Sequence, residues 1–355
     1  MDELLKQIGE RLKYLRKSNN YTQEDVAKYL NIDQGHLSNI ENGKRNITNY
    51  KLKKLCNLYN CSKEYILGDD INYNAPKIAF KGNMNCRNLN LVAKMNEIIN
   101  NLSILREESE DKNIEMLSLP QNDEKLALNL LNDILHLEEN KSTSIIHLSI
   151  KYIKNLTVMW MPLNKEICGC CSKNEKDYLI ILNSRHNTGK QNFTFAHELY
   201  HLFFDDKDSW TICGKSDNTE VELKANAFAY NLLIPEYSLY SYFKSNKITA
   251  WKEKDIILCA KEFNVDFETL LNKIENSLIN YEIDLENKES NLVKIVKSMG
   301  IESELFEPTI ESKDYYTLGS YIPLITESYE KKHIGNSKKE ELLLSAFRYD
   351  IVYNS

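Results

Sequence analysis

The chain has 355 residues, with 45 Lys and Arg against 52 Asp and Glu and a formal net charge of −7, which leaves room for two or three domains with substantial cores. Only 11 Gly and 6 Pro exclude a low-complexity chain and favour a mostly α fold with a small β-sheet, an α+β arrangement. The opening Met1-Asp2-Glu3-Leu4-Leu5-Lys6 has no apolar signal core and no run approaches a membrane span, so the eight cysteines read as reduced thiols of a soluble cytoplasmic protein with no membrane partner.

Helical periodicity begins at Leu5 to Leu15. Tyr21 to Leu30 reads as a short helix capped by Thr22, with Asp25 completing a capping-box-like pair. Asp33 then caps a second helix, Gln34 to Glu41, which stops at Asn42-Gly43. Val26, Ala27, Leu30, Ile32, Leu37 and Ile40 form the apolar interior expected where two short helices cross at a tight turn. Leu52, Leu55, Cys56, Leu58, Tyr59, Tyr65, Ile66 and Leu67 follow at helical spacing, giving a five-helix all-α unit over residues 1–68.

This unit resembles a repressor-type helix-turn-helix of the Cro/CI (XRE) class. Arg16, Gln23 and the Ile40-Glu41-Asn42-Gly43-Lys44 run carry the resemblance. It implies an internal Arg16–Glu41 ion pair and double-stranded DNA, an operator, as partner. Gln23 belongs to the implied DNA-binding set, Gln34, Gly35, His36, Ser38 and Asn39 would face the major groove, and Lys44 and Arg45 would hold phosphate. Gln and Asn can pair bidentately with adenine, whereas Gly35 offers no side chain and makes a poorer reading head. Residues 1–68 carry 12 Lys and Arg against 8 Asp and Glu, a balance of +4 that leaves −11 for the rest. A mildly basic head on an acidic body suits DNA contact through the head alone. So small a charge gives weak non-specific affinity, which points to a homodimer for stable operator binding. The competing reading is a helical protein-interaction module that has lost DNA contact.

A boundary is expected near Gly68 to Pro76, followed by a linker and helical connector over 69–125. Leu89, Leu91, Val92, Met95, Ile98, Ile99, Leu102 and Leu105 predict a helix over 88–108. The polar stretch Glu107 to Asn113, with Leu119 to Asp123, is the expected flexible joint before a helix near 124–138. A helix at about 143–154, a strand at Leu156 to Met161 and a strand over 178–184 lead into a core spanning 126–280.

His197-Glu198-Leu199-Tyr200-His201 is the most informative stretch. Two imidazoles four residues apart lie one turn apart on one helix face and can grip a single Zn²⁺. Glu198, beside the first histidine, can take a proton from a water bound to that metal. Apolar flanks, Phe193 to Ala196 and Leu202 to Phe204, suit a buried active-site helix. Downstream, Val221 to Ile234 is a strong helical pattern ended by Pro235, and Glu222 and Asn226 lie one turn apart on it. Glu222 can supply a third zinc ligand and leave the fourth position to water; Asn226 can orient a ligating histidine. The plain alternative for Glu222 is a solvated surface acid, and Asp205, Asp206 and Asp208 are the substitutes for it.

The strand Tyr178 to Asn183, the Phe193 to His201 run, and Glu222 to Ala229 followed by Leu232-Leu233-Ile234-Pro235 together resemble the ImmA/IrrE family of zinc metallopeptidases, over roughly residues 160–240. The resemblance implies a zincin-like fold in which His197, His201 and Glu222 bind zinc and Glu198 is the general base. Tyr200 departs from the family, which more often has glycine there. Ile78-Ala79-Phe80-Lys81 resembles the junction of proteins that fuse these two domains, and Ala260 to Leu270 resembles the family's closing helices. Cys168-Gly169-Cys170-Cys171 falls in what resembles the family's variable loop. Its spacing lacks the paired CxxC geometry of structural zinc sites, which favours local packing or plain exposure over metal binding or a redox role. His186 and Trp210 bracket the zinc helix as cleft-lining candidates, with an ordinary loop role as the alternative. Residues 281–355 are expected to be a helical region, ambiguous over 281–320, with a break between helices at Gly335-Asn336-Ser337.

These readings converge on a DNA-binding zinc metalloendopeptidase. By the resemblance, its protein substrate is a repressor or antitoxin encoded nearby, cleaved to relieve repression. The substrate strand is expected to add to the sheet near residues 178–184. The alternatives are a transcription regulator whose peptidase fold serves as sensor or scaffold, and the antitoxin half of a toxin pair.

Overall fold

The structure, a computed structural model, describes residues 3–68, 79–81, 88–137, 139–140, 143–205, 209–214, 219–279, 281–285, 292–308 and 315–353, with backbone alone at 79–81 and 209–214. The expected boundary at 69–76 lies outside these residues, as do Ile78, Asp206 and Asp208, and so does the Trp210 side chain.

Five helices open the chain: α1 (Glu3–Ser18), α2 (Gln23–Leu30), α3 (Gln34–Glu41), α4 (Asn49–Tyr59) and α5 (Lys63–Leu67). Their ends are written in the sequence. Thr22 accepts from the Asp25 N–H while the Asp25 carboxylate accepts from the Thr22 N–H, a complete capping box. Asp33 caps α3, Thr48 caps α4 and Ser62 caps α5. Gly43 follows α3 at φ +66°, and a Cβ there would lie 2.6 Å from the Lys6 Cα, so both the turn and the approach of α1 require glycine.

The middle of the chain runs β1 (Ala79–Lys81), α6 (Leu89–Glu107), α7 (Glu124–Leu135), α8 (Ile145–Tyr152), β2 (Leu156–Met161), β3 (Ile167–Lys173), β4 (Tyr178–Asn183), α9 (Thr188–Phe204), β5 (Ser209–Gly214) and α10 (Glu220–Leu233). The remainder is α11 (Glu236–Ser245), α12 (Glu253–Glu262), α13 (Phe267–Glu275), α14 (Leu292–Ser298), β6 (Tyr316–Gly319), α15 (Tyr321–Glu330), α16 (Asn336–Ser345) and α17 (Tyr349–Tyr353). The fold is α+β, mostly helical. Among the described residues no helix is long and apolar enough to cross a membrane.

The strands form one mixed sheet in the order β1-β5-β3-β4-β2-β6. β4 pairs parallel to β2 and antiparallel to β3. All six of its residues are buried, which fits its near-continuous apolar run Tyr-Leu-Ile-Ile-Leu. Alternate residues feed two cores: Leu179 and Ile181 face one, and Tyr178, Ile180 and Leu182 the other. The first core also contains Leu91, Met95, Ile98 and Leu102 of α6, Leu324 of α15, and the five-helix head; the second contains α7 to α10. A third cluster around Trp251 joins α11 to α14.

Three expectations are corrected by this topology. Because β4 is paired on both sides, it offers no edge for an incoming substrate strand. Cys168 to Cys171 form no loop; they lie within β3, held between β4 and β5. The region after 281 is not wholly helical, since β6 pairs antiparallel to β2 and closes that end of the sheet.

Candidate metal centre and nucleic-acid interface

Helix α9 runs from a cap at Asn187 across the sheet, with α10 as its main neighbour and β3 as the strand it packs on most closely. One turn separates His197 from His201, so both imidazoles point toward α10. There Glu222 sits in the first turn, next to the capping Thr219. His197 Nε2 lies 3.1 Å from Glu222 Oε2, His201 Nε2 3.4 Å from Glu222 Oε1, and the two Nε2 atoms 3.1 Å from each other. All three side chains are buried. Three donor atoms converging on one point, two of them nitrogens facing each other, is an arrangement that a cation relieves and that suits Zn²⁺.

The outer imidazole nitrogens are held as well. His197 Nδ1 donates to Asn226 Oδ1 at 3.0 Å and His201 Nδ1 donates to Asp205 Oδ2 at 3.0 Å. Since neither oxygen carries a proton to give, each Nδ1 must supply it, which leaves the Nε2 lone pair facing inward. For His201, burial works against the charged ring. The Asp205 hydrogen bond and the charges of Glu198, Glu222 and Asp205 outweigh it and hold the imidazole above its ordinary value. Asp205 therefore stands behind a histidine rather than beside Glu222. Its position four residues after His201, one further helical turn, was the signal that marks it.

Glu198 is fully buried on the sheet side of α9. Gly169 of β3 makes room for it: a Cβ there would lie 3.2 Å from Glu198 Oε1 and 2.8 Å from Thr194 Cγ2. Two residues on, Cys171 faces the same helix beside the Glu198 carboxylate; burial, then the nearby Glu198 charge, pushes this thiol well up. Gly169 and Cys171 thus form the floor under Glu198, a role invisible while the segment reads as a loop. Tyr200 packs its ring against Phe204 and Phe228 and meets the His201 ring edge-on, filling space beside the helix without displacing a ligand. His186 is buried in the β4–α9 turn, where its backbone donates to Asn183 O and its carbonyl accepts from Gln191 Nε2.

In the head, Arg16 and Glu41 form a bidentate pair, Nε to Oε1 at 2.6 Å and Nη2 to Oε2 at 3.0 Å, with Nη1 donating to Tyr21 O. Gln23 Nε2 donates to the same Glu41 carboxylate at 2.8 Å, and Gln34 Nε2 reaches Gln23 Oε1 at 3.5 Å. Gln23 is thus tied to the ion pair, and it in turn steadies Gln34 at the start of α3. Gln34, Gly35 and Asn39 are exposed, His36 and Ser38 half-buried, and Lys44 and Arg45 exposed just beyond the helix.

The family described as Helix-turn-helix matches residues 12–66, and the family described as IrrE N-terminal-like domain matches residues 155–275. The HTH-type transcriptional regulator ImmR of Bacillus subtilis (strain 168) is 46% identical over 63 residues, 18% of this chain and 50% of that protein. The Competence pilus inhibition repressor of Acinetobacter baylyi is 32% identical over 59 residues, 17% of this chain and 54% of its own length. Control protein C.MunI of a Mycoplasma species is 38% identical over 56 residues, 16% of this chain and 76% of that protein. The chain thus spans about half the length of the first two relatives. No solved structure matches it. The chain therefore joins an XRE-type helix-turn-helix domain to a metallopeptidase-type domain of the IrrE/ImmA-like family.

Proposed function

We propose that this protein is a DNA-binding zinc metalloendopeptidase that relieves repression by cleaving a transcriptional repressor or antitoxin. The observation that carries the reading is the convergence of His197, His201 and Glu222, with Glu198 on the same helix, in a chain that also has a helix-turn-helix head. His197, His201 and Glu222 would hold the metal, oriented by Asn226 and Asp205. Bound Zn²⁺ supplies Lewis-acid polarisation of the scissile carbonyl and of the attacking water. Glu198 accepts the water's proton and returns it to the leaving amine, and its seat on Gly169 and Cys171 limits the directions in which it can do so. In the head, Gln34 and Asn39 read bases, with His36 and Ser38 beside them and Gly35 admitting close approach. Lys44 and Arg45 hold phosphate and Gln23 braces the pair. Two such heads are needed to span a symmetric operator, so the bound form is a homodimer.

The test is derepression of the operon next to the gene, in cells carrying wild type, Glu198→Gln or His197→Ala, with the neighbouring repressor followed by immunoblot. Proteolysis requires that both variants leave the repressor intact, because losing general-base help costs about 10²–10⁴-fold. Repressor loss that persists with Glu198→Gln but stops with His197→Ala would leave the metal a structural role and favour a scaffold.

A further inference from the structure

Two cysteines that play no part in the metal centre meet at the back of the head. Helix α4 ends at Asn60 in the left-handed conformation, φ 49° and ψ 54°, and both the Asn60 and Cys61 N–H groups donate to the Cys56 carbonyl. This is a Schellman-type ending, in which the third residue from the helix end and the second residue beyond it bring their side chains into contact. Hydrophobic residues usually fill those two positions. Here they are Cys56 and Cys61, so the turn sets the two thiols side by side. Cys56 is half-buried, whereas Cys61 is buried.

The two thiols are unequal. Accepting the Cys61 hydrogen bond draws Cys56 below its ordinary value against the opposing effect of burial, with Lys63 assisting and Glu64 resisting. Giving that bond, and then burial, push Cys61 up. The reachable thiol is the better nucleophile and the buried one waits behind it, as in dithiols that exchange with disulfides. The adjacent Cys170 and Cys171 show the contrast. They face opposite sides of the sheet, into different cores, and cannot bridge to each other without breaking the strand.

We propose that Cys56 and Cys61 are a redox modification site that closes to an intramolecular disulfide in exchange with a low-molecular-weight disulfide. Cys56, as thiolate, attacks one sulfur of the reagent RSSR, forming a mixed disulfide and expelling one RS⁻. Cys61 then loses its proton and attacks Cys56 Sγ, expelling the second RS⁻. The two protein thiols lose two electrons and two protons, and RSSR is reduced to two RSH. The new bond ties the last turn of α4 to the residue that leads into α5. That turn is also where the connector docks: Asn96 Nδ2 of α6 donates to Asn57 O at 2.8 Å, and Asn100 Nδ2 to Asn60 Oδ1 at 2.7 Å. The disulfide therefore forms at the seam between the head and the rest of the molecule.

The test uses the full chain and oxidised glutathione, followed by acid quench, alkylation and peptide mapping by mass spectrometry. Wild type is expected to yield a peptide spanning Cys56 and Cys61 that is two hydrogens lighter and carries no alkyl group. Cys61→Ser, or Cys61→Ala if the serine variant is misfolded by circular dichroism, is expected to stop at a glutathione adduct on Cys56. Cys56→Ser is expected to leave Cys61 at least about tenfold less modified than Cys56 is in the Cys61 variant, since reactivity follows thiolate character and exposure. A wild-type chain that stops at a stable adduct on Cys56, keeps both thiols reduced, or reacts equally at either cysteine in the single variants overturns the proposal.

Discussion

Replacing Asn226 with alanine tests the metal centre at the point where it is most sensitive and least confounded by lost ligands. Asn226 lies one turn after Glu222, so α10 supplies both a proposed ligand and the group that orients His197, at 3.0 Å from Nδ1. Without that oxygen the His197 Nδ1–H has lost its acceptor and the ring is no longer held in the tautomer that turns Nε2 toward Glu222. Removing such a supporting partner typically weakens metal binding about 10–100-fold, which corresponds to about 1.4–2.8 kcal/mol. The assay is competitive zinc titration against a chromophoric chelator at fixed pH and ionic strength, with circular dichroism confirming the fold. Asn226→Ala is expected to fall in that range. Asn226→Asp, which keeps the acceptor and adds charge behind the ring, is expected to bind zinc at least as tightly as wild type. Glu222→Ala is expected to lose more than either, and Glu198→Gln nearly nothing. An Asn226→Ala protein within twofold of wild type would mean that His197 is not oriented through Nδ1, and the ligand assignment built on it would fail.

Further outcomes follow from the same geometry. Arg16→Met leaves the Glu41 carboxylate buried without its partner and is expected to destabilise the head by about 3–5 kcal/mol in urea unfolding, whereas Arg16→Met with Glu41→Leu recovers most of that loss. Gly169→Ala places a methyl 2.8 Å from Thr194 Cγ2 and 3.2 Å from Glu198 Oε1; it is expected to cost about 1–3 kcal/mol of stability and to reduce repressor cleavage while zinc content stays near wild type. Gln34→Ala is expected to cost about 1–3 kcal/mol of operator affinity at one base position. Lys44→Ala is expected to weaken binding to all sequences and lower the salt slope by about 0.9 in an electrophoretic or anisotropy titration.

What was legible in the sequence follows from how local each signal is. The caps at Thr22 and Asp33 act within three residues, and the i, i+4 spacing of His197 and His201 fixes a shared helix face without reference to the rest of the fold. Glu222 and Asn226 were legible for the same reason, one helix later. The role of Asp205 is local too, one turn beyond His201, but from the sequence it reads as a substitute ligand because spacing alone does not say which histidine nitrogen a carboxylate meets. The strand status of Cys168 to Cys171 was not legible. A glycine between cysteines looks like a turn, and only the pairing of β3 with β4 and β5, together with the lack of space at Gly169, explains it. The pairing of β6 with β2 joins residues more than 150 positions apart, and no local pattern in Tyr316 to Gly319 announces it.

The connector α6 gives the fusion of the two domains a physical meaning. Its apolar residues Leu91, Met95, Ile98 and Leu102 share one core with Leu52, Leu55 and Leu58 of the head and with Leu179 and Ile181 of the sheet. Arg106, near its end, makes a buried ion pair with Asp177, which immediately precedes β4, Nη2 to Oδ1 at 2.6 Å. Glu341 of α16 pairs with Lys53 of α4 from the far end of the chain. A head joined only by a loose tether would move without regard to the metallopeptidase-type domain. Here, moving the head off α6 exposes the apolar face of α4 and α6, and disturbing the far end of α6 strips a buried carboxylate of its partner. The α4–α6 seam combines that shared core with amide hydrogen bonds: Asn96 Nδ2 donates to Asn57 O and Leu58 O, and Asn100 Nδ2 to Asn60 Oδ1. The Cys56–Cys61 pair lies at that seam, so closing it to a disulfide would act on the contact between the head and α6 rather than on the core that holds α9 and α10.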